Sequence, residues 1–234
     1  MKGPGLMRQE AKSRLFDEWP EQYDRWFTTP MGARVRKYEA ELILDLLRPG
    51  HGETILDAGC GTGVFTLDIL ASGAHVIGLD ISLPMLRRSR EKARGEPLQI
   101  VLGDMLHLPF SENVFDRVVS VTALEFIEDG QGAVRELFRV TKRGGSIVVA
   151  TLNSLGPWAS QRTAEAQKKK TIFTKAIFRS PDEVRSLAPV EGVIRTAIHF
   201  QREDDPSNAS EIERAGQEKG WNTGAFVAAR WEKA

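Results

Sequence analysis

The sequence predicts an α/β fold in which helices cover both faces of a mostly parallel sheet. Between about residues 53 and 151, short apolar runs of strand length alternate with helical patterns, as expected of βαβ units. The first run leads directly into a glycine-rich turn and a helix. Open α/β folds bind ligands where such turns meet the carboxyl edge of the sheet, so the same segment predicts a binding site.

Five strands are predicted in this region because each apolar run is bounded by glycines, acidic residues or other turn formers. The fifth run follows a turn predicted at Gly144 and Gly145. Strands buried on both faces of a parallel sheet are continuously apolar, and these runs fit that pattern. The predicted strands cover residues 54–56, 75–79, 98–101, 115–121 and 146–151.

Helices are predicted between and around these strands. Residues 38–47 place apolar side chains at helical spacing before a stop at Pro49 and Gly50. Further helices are predicted over residues 64–72, from a Ser82 cap to about residue 93, over residues 132–140 and from a Ser180 cap. Two late strands, at residues 193–200 and 225–231, are joined by a polar stretch that is helical after residue 210. This pair predicts an antiparallel closure of one sheet edge.

Composition narrows the class of protein. The 234 residues include 32 Lys and Arg against 32 Asp and Glu, four His and a single cysteine, Cys60. A balanced charge argues against nucleic acid as a partner, and one cysteine excludes an internal disulfide framework. No apolar run reaches the length of a membrane span, and the first residues lack a secretory signal pattern. We therefore expect a cytoplasmic protein without a metal site.

The glycine-rich turn carries the clearest chemical signal. Gly59, Gly61 and Gly63 follow a strand and precede a helix, so a ligand can approach bare backbone there. The spacing differs from the dinucleotide fingerprint, because Val64 stands where its third glycine is expected. Asp57, just before the loop, would repel a pyrophosphate but suits a ligand with an ammonium or sulfonium group.

Two further acidic residues follow the next two strands. Asp80 ends the second strand, where a carboxylate can accept hydrogen bonds from a ribose diol. Asp104 follows the third strand, where it can accept from an exocyclic amine, while Met105 and Ile81 can flank a flat base. Each Asp alone is also a common cap or turn former. Together with the glycine loop they predict an adenosine-type ligand at the carboxyl edge of the sheet.

The combined motifs resemble the class I S-adenosylmethionine-dependent methyltransferases, and in particular the methyltransferase type 11 group, which includes ubiquinone- and menaquinone-biosynthesis-type enzymes. The resemblance is strong from about residue 53 to 151 and weaker at an N-terminal aromatic segment, residues 23–27. It is specific for cofactor and fold, and it says little about the methyl acceptor. The matching segments are residues 57–63, Asp80, 103–105, 108–110, 115–119 and 139–145.

The resemblance implies a Rossmann-like, doubly wound sheet of seven strands in the order 3-2-1-4-5-7-6, with strand seven antiparallel. It implies S-adenosyl-L-methionine as cofactor and S-adenosyl-L-homocysteine as product. The residues that would bind the cofactor form the glycine loop, the two acidic positions with their neighbours, the end of the fourth strand and the N-terminal segment. They are Asp57, Gly59, Cys60, Gly61, Gly63, Asp80, Ile81, Asp104, Met105, Thr122, Ala123, Tyr23 and Trp26.

Methyl transfer from a sulfonium is a direct in-line displacement, so the protein mainly aligns the acceptor and excludes water. A general base is needed only when the acceptor must lose a proton. Glu125, Tyr23 and His199 are the candidates, and many relatives carry a His at the place of Glu125. Cys60 is interpreted as a small packing residue rather than a nucleophile.

Four segments are expected. They are an N-terminal helical lid (1–50), an S-adenosylmethionine-binding core (51–151), a helical insert or cap (152–190) and C-terminal strands that complete the same sheet (191–234). The insert includes a basic run at residues 168–170, interpreted as a solvated helix face. The lid and insert are expected to enclose a small-molecule acceptor. Candidate wall residues are Asn153, Trp158, Phe173 and Phe178.

Other functions remain open at this point. An NAD-dependent oxidoreductase would use the same fold, although Val64 and Asp57 argue against it. A non-catalytic S-adenosylmethionine-binding module would share every cofactor residue, and RNA methylation is a weaker possibility that a steep salt dependence would reveal. The sequence does not distinguish a monomer from a homodimer.

Overall fold

A computed structural model of the chain describes residues 15–168, 172–205 and 207–234. Its centre is a seven-stranded sheet with the order β3-β2-β1-β4-β5-β7-β6, which is the order that the family resemblance implied. The strands are Thr54–Ala58 (β1), His75–Asp80 (β2), Leu98–Leu102 (β3), Phe115–Val121 (β4), Thr141–Leu152 (β5), Val193–Ala197 (β6) and Phe226–Glu232 (β7).

Helices cover both faces of this sheet, as predicted. Short 3₁₀ turns at residues 105–107, 124–126 and 172–175 supplement them. The helices are Pro20–Thr28 (α1), Pro30–Leu47 (α2), Thr66–Leu70 (α3), Leu83–Lys92 (α4), Gly130–Val140 (α5), Ala159–Lys168 (α6), Pro181–Arg185 (α7) and Ala209–Glu218 (α8).

The apolar strands divide their side chains between two hydrophobic clusters. Ile55 of β1 belongs to the cluster that includes α2 and α3, whereas its neighbour Leu56 belongs to the cluster that includes α5. Successive side chains of a strand point to opposite faces, so a strand in the middle of such a sheet must be apolar throughout. This explains why the continuous apolar runs correctly predicted parallel strands.

Helix starts follow the predicted caps. The Ser82 side chain accepts a hydrogen bond from the backbone of Met85 and begins α4. Ser180 forms a full capping box with Glu183 at the start of α7, with Pro181 at the first helical position. These side chains satisfy backbone N–H groups that have no partner inside the helix.

Three predicted boundaries were wrong. The turn predicted at Gly144 and Gly145 lies inside β5. Thr141 pairs with Phe115 and Ser146 pairs with Arg117, so residues 142–145 of β5 form an irregular bulge. The helix predicted over 64–72 is shorter, Thr66–Leu70. Strand β6 ends at Ala197 rather than at residue 200.

The predicted antiparallel closure is confirmed, because β7 runs antiparallel to both β5 and β6. Helix α2 ends at Leu47, just before the predicted Pro49–Gly50 stop. Of the predicted basic run, residues 169 and 170 and the side chain of residue 168 lie outside the described residues. Within the described ranges, none of the helices combines the length and the apolar character that crossing a bilayer requires. The four segment boundaries stay predictions.

Candidate functional site

The carboxyl ends of the parallel strands bring the predicted residues to one edge of the sheet. The glycine loop follows β1, Asp80 ends β2, Asp104 follows β3 and Thr122 follows β4. Parallel pairing of β1 with β2 and β4, and of β2 with β3, sets these ends side by side. Ligands bind at this edge in open α/β folds.

Two loop glycines are required by close packing. A Cβ at Gly59 would lie 2.4 Å from Ala123 Cβ, and a Cβ at Gly63 would lie 2.5 Å from Ser89 Oγ. Both glycines have positive φ, +81° and +78°, a backbone conformation that other residues adopt only at a cost in free energy. The loop therefore fits tightly between the end of β4 and helix α4.

Gly61 differs from the other two. It has φ of +53°, and no described atom lies within 4 Å of the position that its Cβ would take. Its backbone N–H donates to Asp80 Oδ2 at 2.8 Å. The loop therefore offers a ligand bare backbone at Gly61 while its two ends are fixed.

Asp80 joins the second strand to the glycine loop. Its Oδ2 accepts from Gly61, and its Oδ1 accepts from the Ser82 backbone N–H at 2.9 Å. Burial raises the pKa of Asp80, and the two backbone hydrogen bonds oppose that shift. A carboxylate has about four acceptor positions, so capacity remains for the two hydroxyls of a ribose.

Asp57 is buried at the end of β1. Its Oδ2 accepts from Thr66 Oγ1 at 2.6 Å, which fixes the carboxyl against the first turn of α3. Burial raises the pKa of Asp57 to about 7, and the charge of Asp80 adds to the shift. A cationic ligand next to this carboxyl would favour its ionised form and lower its pKa.

The predicted adenine-binding residues lie at the same edge. Asp104 caps the 3₁₀ turn at 105–107 by accepting from Leu106 N with Oδ1 at 3.0 Å. Met105 is buried, with its Cε 3.4 Å from the position of a Cβ on Gly59. Ile81 is half-buried next to Asp80. The Asp104 cap is the alternative that the sequence left open, and its binding role stays a prediction.

Cys60 is buried inside the loop. Its Sγ lies 2.8 Å from the position of a Cβ on Gly78, so glycine is needed there to make room for it. Burial raises the pKa of the Cys60 thiol, and the charges of Asp57 and Asp80 add to this. A thiol that resists ionisation is a poor nucleophile, which agrees with its interpretation as a packing residue.

Helix α1 lies over the glycine loop and is held there by Asp24. One carboxylate oxygen of Asp24 accepts from Thr62 Oγ1 at 2.6 Å and from Lys92 Nζ at 2.8 Å. The other accepts from Arg88 Nε at 2.9 Å. Helix α1 is thus bonded both to the loop and to α4.

Two aromatic contacts extend this cover. Burial raises the pKa of Tyr23, which neighbouring Thr122 partly opposes. Thr122 has φ of +47°, which is unusual for a residue with a side chain. The Phe16 ring meets the Phe126 ring edge-on at 4.8 Å. Trp26 packs against the hydrophobic cluster that includes α2. Their roles toward a cofactor stay predictions.

A group of ionisable side chains is buried beside Tyr23. Glu39 of α2 and Glu125 of the 3₁₀ turn at 124–126 are 4% and 0% exposed, and Arg162 of α6 is 8% exposed. Burial raises the pKa of Glu39 to about 8, which the charge of Arg162 opposes and that of Glu125 reinforces. Burial lowers the pKa of Arg162 to about 10. These three residues are called the buried charge cluster below.

The predicted wall residues divide into two sets. Trp158 and Phe173 lie beside the buried charge cluster, with the Arg162 guanidinium 5.3 Å and 5.4 Å from their ring centres. Phe178 contacts Phe173 at 6.2 Å. Asn153 bonds instead to backbone groups, because its Nδ2 donates to Asn222 O and Gly224 O. Their assignment to an acceptor pocket stays a prediction.

His199 is not brought to the glycine loop. Its backbone N–H donates to Glu213 Oε2 at 2.8 Å, and its ring lies between Glu213, Thr196 and the Trp221 carbonyl. A Cβ at Gly216 would lie 2.3 Å from the ring, so α8 packs directly on it. These contacts give His199 a structural role between β6 and α8.

The sequence reasoning missed Glu39, Arg162 and Asp24. Glu39 had a readable signal, because it occupies the same helix face as the buried Val35 and Leu42, where an apolar residue is expected. Arg162 and Asp24 had no such signal in the sequence, since only tertiary packing decides which charged residues become buried. No group of three or more metal-ligating side chains is found in the described part of the chain.

The known proteins that this chain resembles are methyltransferases. A family model described as a methyltransferase domain matches residues 56–149. The chain is 30% identical to malonyl-acyl-carrier-protein O-methyltransferase of Erwinia pyrifoliae over 92% of this chain and 87% of that protein. It is 32% identical to demethylmenaquinone methyltransferase of Corynebacterium kroppenstedtii over 92% and 91%. In fold it resembles a SAM-dependent methyltransferase from Thermotoga maritima, with a TM-score of 0.70 and 24% sequence identity. The match covers 95% of this chain and 100% of that protein.

Proposed function

Because the chain belongs to the S-adenosylmethionine-dependent methyltransferases, we propose that it transfers the cofactor's methyl group to a small-molecule acceptor held beneath α1 and α2. The observation that carries the proposal is the meeting of three features at one sheet edge. They are the open backbone at Gly61, the Asp80 carboxylate bonded to it, and the cover formed by α1.

The residues present suit the cofactor. Gly61 would face its methionine part, Asp80 would accept from its ribose hydroxyls, and Asp104 would accept from its adenine amine. Asp57 would stand near its amino group, where a buried carboxyl gains most from a cation. When bound, S-adenosylmethionine supplies a methyl group on a positively charged sulfur.

The protein's own contribution is alignment and exclusion of water. Helix α1 is bonded to the glycine loop through Asp24 and Thr62, which would help to keep water from a bound cofactor. Tyr23 and Glu125 are ionisable groups near the end of β4, and both have a pKa raised by burial. They would hold or move a proton if the acceptor loses one.

Two observations support a small acceptor. The walls beside the buried charge cluster are aromatic, as in small-molecule pockets. The chain also has equal numbers of acidic and basic residues, which does not favour a polyanionic partner. The relatives named above act on a menaquinone precursor and on a malonyl group carried by a protein, as their names state. An NAD-dependent oxidoreductase is not favoured.

Calorimetric titration with S-adenosylmethionine tests the cofactor, and S-adenosylhomocysteine release across quinones, phenols, amines and carboxylates tests transfer. Saturable cofactor binding and turnover of at least one acceptor are expected. Folded protein that fails to bind S-adenosylmethionine would refute the proposal. Binding without turnover of any acceptor would leave only a binding module.

A further inference from the structure

A single hydrogen bond joins the two ends of the glycine loop. Thr66 Oγ1, in the first turn of α3, donates to Asp57 Oδ2 near the end of β1 at 2.6 Å. Both residues are buried, with 0% of Thr66 and 2% of Asp57 exposed. The two partners are nine positions apart, and all three loop glycines lie between them. The bond therefore holds the base of the loop together.

The Thr66 hydroxyl has an unusual partner for a threonine in a helix. Such a hydroxyl often donates to the carbonyl four residues before it, as Thr163 does to the Ala159 carbonyl in α6. Thr66 donates instead to a side chain of the neighbouring strand. Its hydroxyl is therefore committed to the Asp57 carboxyl and not to its own helix.

The two carboxylate oxygens of Asp57 differ in their surroundings. Oδ2 accepts from Thr66, whereas none of the hydrogen bonds among the described residues ends on Oδ1. The fully enclosed side-chain atoms that lack a partner belong to other residues, so Oδ1 retains access to open space. Asp57 thus keeps one carboxylate oxygen that can accept a hydrogen bond from a ligand.

The backbone of Asp57 is held on both sides. It pairs with Gly78 of β2 and with Val119 of β4 in the middle of the parallel sheet. Only rotation about the side-chain bonds is left to decide where the carboxylate oxygens point. Because the Thr66 hydroxyl binds Oδ2, it removes that freedom and also sets the direction of Oδ1.

We propose that Thr66 is a positioning residue, which orients the Asp57 carboxylate so that its free Oδ1 receives the amino group of S-adenosylmethionine. The inference rests on the proposed function, because it assigns a residue to the cofactor site put forward there. Thr66 acts through Asp57 and does not itself touch the cofactor. A hydrogen bond between an ammonium and a carboxylate depends on geometry, and a carboxylate that is already oriented loses less freedom on binding.

The same hydroxyl favours the charge state that an ammonium requires. Burial raises the pKa of Asp57 to about 7, and the charge of Asp80 adds to this, whereas the hydrogen bond from Thr66 lowers it. A donor to the carboxylate stabilises its ionised form. Thr66 therefore supports both the orientation and the ionisation of Asp57.

The test compares two ligands by calorimetric titration of the intact protein. S-Adenosylhomocysteine carries the amino group, whereas methylthioadenosine keeps the adenosine and the sulfur but lacks the amino-acid part. Thr66→Val removes the hydroxyl at nearly constant shape. It is expected to weaken S-adenosylhomocysteine binding by about tenfold or more, while methylthioadenosine binding stays within about threefold of the wild type.

Thr66→Ser retains the hydroxyl and is expected to restore S-adenosylhomocysteine binding to within about threefold of the wild type. Thr141→Val is the matched control, because Thr141 is equally buried and its hydroxyl donates to the Leu137 carbonyl at 2.7 Å. Thr141 begins β5, at the amino edge of the sheet and away from the glycine loop. Its variant loses a comparable hydrogen bond, yet it is expected to keep the affinities for both ligands.

Equal weakening of the two ligands in Thr66→Val would show that the hydroxyl only holds the loop, and it would overturn the inference. Unchanged S-adenosylhomocysteine affinity would overturn it as well. Thr66→Ala removes the hydroxyl in a second way, and if neither hydroxyl-free variant folds, Thr66 serves stability and the inference fails. Wild-type protein that binds neither ligand nor S-adenosylmethionine is a separate result, which refutes the proposed function itself.

Discussion

The Asp80 carboxylate accepts a hydrogen bond from the Gly61 backbone N–H at 2.8 Å, across nineteen residues of sequence. This bond connects the end of β2 to the centre of the glycine loop. It orients the loop before any ligand arrives, and it places the carboxylate next to the one loop glycine that faces open space. Asp80 is thus both a structural and a binding candidate.

Asp80→Ala is expected to weaken S-adenosylmethionine binding by at least about 1–3 kcal/mol, because hydrogen bonds to the ribose and to the loop are both lost. Calorimetric titration measures the affinity. Asp182→Ala is a suitable control, since Asp182 is exposed at the start of α7. An unchanged affinity for the Asp80 variant would remove this residue from the site.

Gly61→Ala and Gly63→Ala are expected to differ. Both place a side chain at positive φ, which costs about 1–2 kcal/mol. At Gly63 the new Cβ also meets Ser89 Oγ at 2.5 Å, whereas at Gly61 it meets no described atom within 4 Å. Gly63→Ala should therefore lose more stability.

Gly61→Ala should instead lose S-adenosylmethionine affinity by about tenfold or more, because its methyl group enters the proposed ligand space. Urea unfolding and calorimetry on the same samples separate the two effects. Equal stability losses at the two positions would contradict the packing argument, and unchanged affinity in Gly61→Ala would contradict the ligand's placement.

Asp24→Ala is expected to release α1 from the glycine loop. Three donors converge on Asp24, namely Thr62, Lys92 and Arg88, and each would lose its partner. Hydrogen exchange of residues 20–28 should rise while the strands keep their protection. Arg25→Ala serves as the control because Arg25 is exposed on the same helix. Equal exchange in wild type and Asp24→Ala would show that other contacts hold α1.

The same contact predicts a pH dependence. Burial raises the pKa of Asp24, but hydrogen bonds from Lys92, Thr62 and Arg88 outweigh it, and the pKa lies below the ordinary 3.8. The stabilisation is therefore fully present above 3.8 and is lost as pH falls below it. Exchange of α1 should accelerate in that acidic range in the wild type and not in Asp24→Ala.

Glu39→Gln is expected to alter how stability depends on pH. In the unfolded chain Glu39 ionises near 4.5, whereas in the native protein it keeps its proton up to about 8. Its contribution to the free energy of unfolding therefore falls as pH rises through this window, by at most about 1.4 kcal/mol per pH unit. The variant should show a shallower decline by urea unfolding.

Glu41→Gln should retain the wild-type decline, because Glu41 is exposed on the same helix. Burial also raises the pKa of Asp57 to about 7, so Asp57 likewise makes the free energy of unfolding fall as pH rises. Glu39→Gln therefore reduces the slope of stability against pH without abolishing it. Identical slopes in the wild type and Glu39→Gln would mean that Glu39 is not buried as described.

Cys60→Ala is expected to keep methyl transfer within about threefold of the wild type, because the buried thiol resists ionisation. Iodoacetamide should label the wild type only after denaturation. A large loss of turnover with intact S-adenosylmethionine affinity would assign Cys60 a chemical role. Rapid labelling of the folded protein would show that the loop opens.

The strands were predictable because burial on both faces forces continuous apolar sequence, and the seven-strand order followed from a family resemblance. Their ends were less predictable. Within β5, Gly144 has φ of +76° and lies in a bulge. The sequence suggested a turn there because glycine with positive φ is common both in turns and in β-bulges. Strand β6 ends at Ala197, where the next residue, Ile198, leaves the extended conformation with φ of +66°, and the His199 N–H donates to Glu213, fourteen residues away.

By itself the sequence determined the α/β fold and the acidic residues that follow successive strands, since these are local patterns of spacing and strand ends, and its resemblance to a family implied the cofactor. Tertiary structure alone decided which charges are buried together. Glu39, Glu125 and Arg162 are distant in sequence, and only the packing of α2, α6 and the turn at 124–126 removes them from water. Because a charged side chain acquires a strongly shifted pKa only when it is buried, this cluster became visible only in the fold.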